Sequence, residues 1–323
     1  IEDTTIEQWS LGWAPSGKTT LVEAARAAGY KDEYLVGAGL AIQQEDGTLI
    51  DKFRERVMFP IHSVSGRVIA YSGRTLKADN PAKYVNSPET EIYIKSRNLM
   101  GIWFAKGEMA KKDKCFLVEG YLDVLSMHQL GITNVVASSG TALTEGHINL
   151  VKRFTKRLTF IYDSDAAGIK ASLRGIDMVL EAGMEVKIVL LPDGEDPDSF
   201  AQAHEKAEIE EYIAAHEQDF VSFKMAILSK DVAANDIYGR SQMINDIVRT
   251  VSMIPDDITR NVYVESVATA FSLRPESLFA QVGRLRGQRL EQLASHRSQD
   301  SDDARQLPPE VSDGSYSTDP VQK

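Results

Sequence analysis

Short apolar runs alternate with longer amphipathic segments through the middle of the chain. The apolar runs have the length and the Val, Ile, Leu and Phe content of buried strands, and they lie at 114–118, 134–137, 158–162 and 185–191. The segments between them have the length and apolar spacing of helices, and they lie at 122–130, 144–154 and 166–181. This alternation predicts an α/β fold with a parallel sheet flanked by helices.

The segments on either side of this array have different patterns. Residues 1–111 predict a mixed α/β region, with short helices at 5–9 and 20–28 and strands at 57–61 and 67–73. Residues 206–288 have helical spacing throughout and predict a small helical bundle. Residues 289–323 are rich in Ser, Asp, Gln and Pro and predict a disordered linker. The four predicted domains are therefore 1–111, 112–205, 206–288 and 289–323.

Charge is distributed unevenly along the chain. The net charge is −11, yet Lys52 to Lys114 contains thirteen Lys and Arg against six Asp and Glu, and residues 193–219 contain ten acidic residues and one lysine. A basic region beside an acidic one is expected where a surface guides a polyanion to a metal site. The same distribution is equally expected for a solvated surface of mixed charge.

The single cysteine, Cys115, excludes an internal disulfide and a cysteine-rich zinc site. No signal peptide or membrane-spanning apolar run appears, so we expect a cytoplasmic protein.

Carboxylates follow three of the four predicted strands. Glu119 and Asp123 come after the first strand, Asp163 and Asp165 after the third, and residues 193–198 after the fourth contain four more. Carboxyl ends of parallel strands meet at one edge of a sheet, where ligands collect. Carboxylates gathered there repel one another unless a hard cation neutralises them, and a site with oxygen ligands alone favours Mg²⁺ or Mn²⁺ over zinc. For any one pair, a role as helix cap or turn residue is the simpler explanation, but it explains three such turns poorly.

A second motif points to a different chemistry. Residues 12–19 satisfy the phosphate-binding pattern of P-loop enzymes, with Lys18 at the lysine position. A P-loop needs a buried strand before its first glycine, whereas the residues before Gly12 are polar and predict a helix. We therefore expect a chance match.

Several motifs, taken in order, resemble those of bacterial DNA primases of the DnaG type. Three stretches resemble the Toprim motifs, namely Glu-Gly-Tyr-Leu-Asp at 119–123, Tyr-Asp-Ser-Asp-Ala-Ala-Gly at 162–168 and Leu-Pro-Asp-Gly-Glu-Asp-Pro-Asp at 191–198. Residues 137–143 resemble the family's intervening motif, between the first and the second of these. Residues 53–60, 66–74 and 81–90 resemble the primase-specific part that precedes Toprim. The resemblance covers residues 5–285. It implies an RNA polymerase domain with a Toprim core that makes short RNA primers.

The resemblance also assigns roles to individual residues. It implies that Glu119, Asp163 and Asp165 hold a metal, that Asp196 and Asp198 complete a second-metal region, and that Asp123 is their acidic catalytic neighbour. It assigns basic and polar residues to the DNA template or to nucleotide phosphates, namely Arg54, Arg56, Arg74, Lys83, Tyr84, Asn86 and Lys95. The implied cofactor is Mg²⁺ or Mn²⁺, with zinc only in an upstream domain outside this chain.

The implied partners are single-stranded DNA, ribonucleoside triphosphates and a replicative helicase. We expect the helicase to bind through a further domain beyond this chain, and we expect a monomer that works at the replication fork. Two alternative functions stay open. One is another Toprim enzyme, a nuclease or a topoisomerase, and the other is a non-catalytic nucleic-acid-binding Toprim adaptor.

Overall fold

The computed structural model of the chain describes residues 1–163, 166–229 and 236–305. For residues 166–172, 293 and 295–305 it describes the backbone alone. Its N-terminal third contains an antiparallel sheet and three helices. The helices of this third are α1 (Asp3–Trp9), α2 (Thr20–Ala27) and α3 (Asp32–Gly37). Its strands are β1 (Gly12–Ala14), β2 (Ala41–Gln43), β3 (Leu49–Asp51), β4 (Arg56–His62), β5 (Val68–Thr75) and β6 (Tyr84–Asn86). The sheet has the order β1–β4–β5–β6, and β2 pairs separately with β3.

A second sheet forms the centre of the structure. Its elements in chain order are α4 (Ile102–Lys112), β7 (Cys115–Val118), α5 (Tyr121–Gln129), β8 (Val135–Ala137), α6 (Glu145–Lys152), β9 (Arg157–Tyr162), α7 (Ala166–Glu181), β10 (Glu185–Leu190), α8 (Pro197–Ala203), α9 (Lys206–His216) and β11 (Gln218–Asp219). The spatial order is β11–β10–β9–β7–β8. All neighbours are parallel except β11, which pairs antiparallel with β10. The predicted α/β class with a parallel sheet is confirmed.

Alternate side chains of the central strands enter two different hydrophobic cores. Cys115 and Leu117 lie in one core with α6 and α7, whereas Phe116 and Val118 lie in the other with α5 and α8. Because successive strand residues point to opposite faces, a strand buried on both faces reads as a continuous apolar run. The sheet is therefore covered by helices on both sides.

Local signals explain where the central helices begin and end. Gly131 and Gly183 adopt the positive φ angles of 83° and 72° after α5 and α7, a conformation that glycine adopts at little cost. Thr144 caps α6, since its side chain accepts a hydrogen bond from the backbone N–H of His147 at 3.2 Å. These helix ends therefore follow from single residues at the helix boundaries.

Four helices complete the described chain. They are α10 (Phe220–Leu228), α11 (Ile237–Met253), α12 (Asp257–Phe271) and α13 (Pro275–Arg305). We predicted a disordered linker over residues 289–323, whereas α13 continues to Arg305. The rest of that segment, residues 306–323, lies outside the described residues. Arg289 explains part of the difference: its guanidinium forms two hydrogen bonds with Glu181 of α7, at 2.8 and 2.9 Å, and so ties α13 to α7. No helix in the described ranges is long and apolar enough to cross a bilayer.

Candidate metal centre and the facing basic strands

The strand order of the central sheet creates a crevice at its carboxyl edge. From β7 the chain crosses to β8 on one side and then returns to β9 on the other side of β7. At such a reversal the two connections leave in opposite directions, which opens the space where α/β sheets bind ligands. Glu119 directly follows β7 and Asp163 directly follows β9. The chain thus brings the first carboxylates of two predicted motifs to the same crevice.

Asp123 is the most buried of the acidic residues at this edge. It lies in the first turn of α5, where its Oδ2 accepts a hydrogen bond from the backbone N–H of Gly120 at 2.7 Å. Burial raises the pKa of Asp123 to about 6; the Gly120 hydrogen bond opposes this rise, and the negative charges of Asp196, Asp198 and Asp163 add to it. The charges of carboxylates that follow β9 and β10 therefore act on Asp123, which follows β7.

The acidic residues after β10 are held by hydrogen bonds around the start of α8. Asp196 caps this helix by accepting from the backbone N–H of Ser199 at 2.7 Å. Asp198 accepts from the hydroxyl of Ser126 at 2.5 Å, and this contact ties α8 to α5. Ser126 did not emerge from the sequence analysis, although it lies three residues after Asp123 and so on the same face of α5.

The donor set fits a hard divalent cation. Every side chain that the sequence assigned to the metal offers carboxylate oxygen, the ligand that Mg²⁺ and Mn²⁺ prefer. Burial is the main cause of the raised pKa of Asp123, and the negative charges of neighbouring carboxylates raise that pKa further. Within the ranges that the structure describes, no three Asp, Glu, His or Cys side chains lie close enough together to hold one ion. Asp165, the remaining predicted ligand, lies outside the described residues.

Aromatic and basic side chains of β5 and β6 face this acidic edge. The ring of Tyr84 stacks on Tyr121 with 5.7 Å between the ring centres, and the guanidinium of Arg74 lies 5.8 Å from the centre of the Tyr84 ring. The Tyr121 hydroxyl donates to Asn86 Oδ1 at 3.0 Å. Burial raises the pKa of Tyr84, with the charge of Arg74 opposing and that of Asp123 adding to the rise, so both charges lie near this ring. Tyr121 joins the two sheets, a role that the sequence analysis missed.

The predicted basic residues do not all reach the surface. Arg54 and Lys83 are exposed, and Lys95 is half-buried. Arg56 instead is only 7% exposed, and its Nη1 donates to the backbone carbonyls of Gly73 and Lys83, both at 3.2 Å. Its guanidinium thus ties β4 to β5 and to the residue that precedes β6.

The P-loop-like motif has no free phosphate cradle. Residues 12–14 form β1, and α2 begins at Thr20, just after the motif. The first amides of α2 are already paired: Asp51, itself buried, accepts from the N–H of Leu21 at 2.7 Å and from that of Val22 at 3.0 Å. A phosphate would have to displace this carboxylate from the helix N-terminus. The geometry supports the expectation of a chance match.

Three family models match the chain in succession. A model described as the DNA primase catalytic core, N-terminal domain, matches residues 1–106, and a Toprim-like model matches residues 116–201. A third model, described as the DnaB-helicase binding domain of primase, matches residues 221–276. This third match lies on the helices before the tail, whereas we expected helicase binding through a further domain beyond this chain.

Individual proteins show the same similarity. The DNA primase of Clostridium acetobutylicum is 35% identical over 280 residues, which are 86% of this chain and 46% of that protein. The DNA primase of Listeria monocytogenes is 32% identical over 307 residues, which are 94% of this chain and 49% of that protein. The chain spans about half the length of the curated relatives it matches.

Solved structures extend the similarity to three dimensions. The crystal structure of a DNA primase domain from Pseudomonas aeruginosa is 31% identical with a TM-score of 0.78, and the match covers 89% of each chain. A structure of the zinc-binding and RNA polymerase domains of Aquifex aeolicus primase is also 31% identical, with a TM-score of 0.76 over 86% of this chain and 66% of that one.

Proposed function

The chain belongs to the DnaG-type bacterial DNA primase family, and from this premise we propose that it is a nucleotidyltransferase that joins ribonucleotides into short RNA primers on single-stranded DNA. The observation that carries the proposal is the set of carboxylates from three strand ends at the crevice between β7 and β9. A basic, aromatic sheet edge faces them. Acidic ligands opposite a phosphate-binding surface are what nucleotidyl transfer requires.

We assign the carboxylates to two divalent ions, Mg²⁺ or Mn²⁺. Glu119, Asp163 and Asp165 would hold one ion, and Asp196 and Asp198 would hold the other. Bound ions would assist deprotonation of the attacking hydroxyl and offset charge on the phosphate that is transferred. The Ser126 hydroxyl orients Asp198, so a Ser126→Ala variant should weaken the second site more than the first.

The facing strands would bind the nucleic acid. Arg54, Lys83 and Lys95 would pair with phosphates, and Arg74 and Asn86 lie alongside the stacked tyrosines. The stacked pair of Tyr84 and Tyr121 offers an aromatic surface at the border of the acidic edge, and aromatic rings hold unpaired bases without regard to sequence. We propose Arg56 as a support for these strands rather than a phosphate ligand, because its donors are directed at backbone carbonyls.

The direct test is ribonucleotide incorporation on single-stranded DNA in the presence of Mg²⁺ or Mn²⁺. The proposal predicts metal-dependent RNA product, either without a primer or from a pre-annealed RNA primer. Cleavage of the DNA instead of RNA synthesis would favour a Toprim nuclease. Metal-independent DNA binding with neither reaction would favour the adaptor.

We further propose that the helical part contacts a replicative helicase of the DnaB type, in line with the family model over residues 221–276. Two apolar side chains on the outer face of α12, Ile258 and Val262, lie one turn apart and are 76% and 61% exposed. An Ile258→Asp, Val262→Asp double variant should lose helicase binding in sedimentation experiments. Ser266→Asp, one further turn along α12, adds a charge without removing an apolar contact and should retain binding. Equal binding by all three proteins would contradict this contact.

A further inference from the structure

A fully buried histidine on α6 holds the segment that carries Lys95. His147 has no exposed surface, and its Nε2 lies 2.8 Å from the backbone carbonyl oxygen of Lys95. Burial lowers the pKa of His147, against a smaller opposing effect of the Lys95 and Asn98 carbonyls. The ring is therefore neutral near pH 7, and the nitrogen that faces the Lys95 carbonyl is the one that donates.

Two neighbours of His147 contact the same segment. Lys95 to Arg97 form a 3-10 turn, and the hydroxyl of Thr144 donates to the Ser96 carbonyl in this turn at 2.6 Å. Gly146 lets the backbones meet: a Cβ atom at this position would lie 2.3 Å from the Ser96 carbonyl oxygen. The start of α6 thus holds two consecutive carbonyls of the turn, and it does so at a distance that only glycine permits.

The residues just after the turn join the two sheets. Met100 pairs with Ala137 of β8 through two backbone hydrogen bonds of 2.9 and 3.1 Å. On the other side, Asn98 Nδ2 donates to the carbonyl of His62 at the end of β4 at 3.3 Å. The turn and these residues therefore connect the basic N-terminal sheet to the sheet that carries the carboxylates, and the contacts of α6 fix where the turn lies.

We propose that His147 is a positioning residue that, with Thr144 and Gly146, holds the Lys95–Arg97 turn so that its cations lie beside the acidic edge. The inference rests on the proposed function, which assigns Lys95 to template or nucleotide phosphates. His147 itself is buried and contacts the backbone of the turn, so it acts on DNA only through Lys95 and the exposed Arg97. Removing its donor should loosen the turn and weaken DNA binding without touching the carboxylates.

The experiment compares His147→Leu, which removes the donor, with His147→Gln, whose amide places a donor at similar reach. Hydrogen exchange is followed in peptides that contain residues 95–100, and binding of a fluorescent single-stranded DNA is titrated against KCl without ribonucleotides or divalent ions. The leucine variant should exchange faster in these peptides and bind DNA roughly tenfold more weakly. Its plot of log affinity against log salt should flatten by up to about 1.4, the value for two lost phosphate contacts on a single strand. The glutamine variant should restore both properties.

A Lys95→Ala, Arg97→Ala background tests whether the effect passes through the turn. There the leucine substitution should cost no further affinity. Unchanged exchange at 95–100, a persistent affinity loss in this background, or a glutamine variant as impaired as leucine would each overturn the proposal. If the leucine variant does not fold, Thr144→Val against Thr144→Ser is judged by the same criteria. A chain that shows the predicted binding pattern but makes no RNA would refute the proposed function and leave the positioning role intact.

Discussion

For the buried ion pair between Lys224 and Asp177, we predict that the loss of stability depends on which of the two partners is removed. Lys224 of α10 is 5% exposed and lies 3.1 Å from Asp177 of α7. Its ammonium also donates to the Thr250 hydroxyl of α11, which in turn donates to Asp177 at 2.6 Å. At an effective dielectric constant of roughly 20, two charges at this distance attract by about 5 kcal/mol before the cost of desolvation. The group joins α10 and α11 to α7, a helix that covers the central sheet.

The two partners differ in exposure, so their removal should differ in cost. Asp177→Asn leaves the Lys224 charge buried with no counter-charge, which should lower the free energy of unfolding by about 3–5 kcal/mol. Lys224→Met removes the buried charge, while the Asp177 side chain, 28% exposed, keeps water and the Thr250 hydroxyl. This substitution should cost only about 1–3 kcal/mol.

Urea unfolding followed by circular dichroism at pH 7 measures both values. The double variant should cost at least about 1 kcal/mol less than the sum of the single variants, because the second substitution removes a group that has already lost its partner. Lys31→Met is the matched control, since its pair with Glu33 is more than 60% exposed on both sides, and it should change stability by under about 0.5 kcal/mol. The reasoning fails if Lys224→Met costs more than Asp177→Asn, or if the two substitutions are additive.

Three further predictions follow from the described contacts. Burial lowers the pKa of His128 to about 4, so the unfolded chain binds a proton near pH 6.5 that the folded chain binds only near pH 4. The free energy of unfolding should therefore fall by roughly 3 kcal/mol as the pH is lowered from about 6.5 to 4. In urea unfolding, His128→Gln should abolish this loss. Asp51→Ala should uncap α2 and lower the free energy of unfolding by about 1–2 kcal/mol. Lys18→Ala should leave RNA synthesis unchanged, and a large loss of synthesis in this variant would revive the P-loop interpretation. Arg56→Ala should lower the melting temperature and leave the salt dependence of DNA binding unchanged. Arg74→Ala should weaken DNA binding and leave the melting temperature unchanged. The reverse result would return Arg56 to the residues that bind phosphate.

The central sheet was predictable because its signals are local. A strand buried on both faces appears as one apolar run, and the stops at Gly131 and Gly183 and the Thr144 cap each need only their immediate neighbours. The meeting of Glu119 and Asp163 at one edge followed from the parallel arrangement alone.

Contacts between distant elements were not predictable in this way. Arg56 fits an exposed, alternating position in the sequence, yet its strand is interior to the sheet and its donors find carbonyls on two other segments. The roles of Tyr121 and His147 depend on partners 35 and 52 residues away in the chain. The length of α13 depends in part on Glu181, more than a hundred residues before the arginine that it binds.

The central claim is that the carboxylates at this edge support metal-dependent RNA synthesis. The most direct measurement is ribonucleotide incorporation on single-stranded DNA with Mg²⁺ or Mn²⁺ by the chain and its Asp163→Asn variant. Asp79→Asn, an exposed substitution in the loop between β5 and β6, serves as the control. The account predicts metal-dependent product from the chain and the control, and none above background from a folded Asp163→Asn variant. RNA synthesis at a normal rate by Asp163→Asn would contradict it.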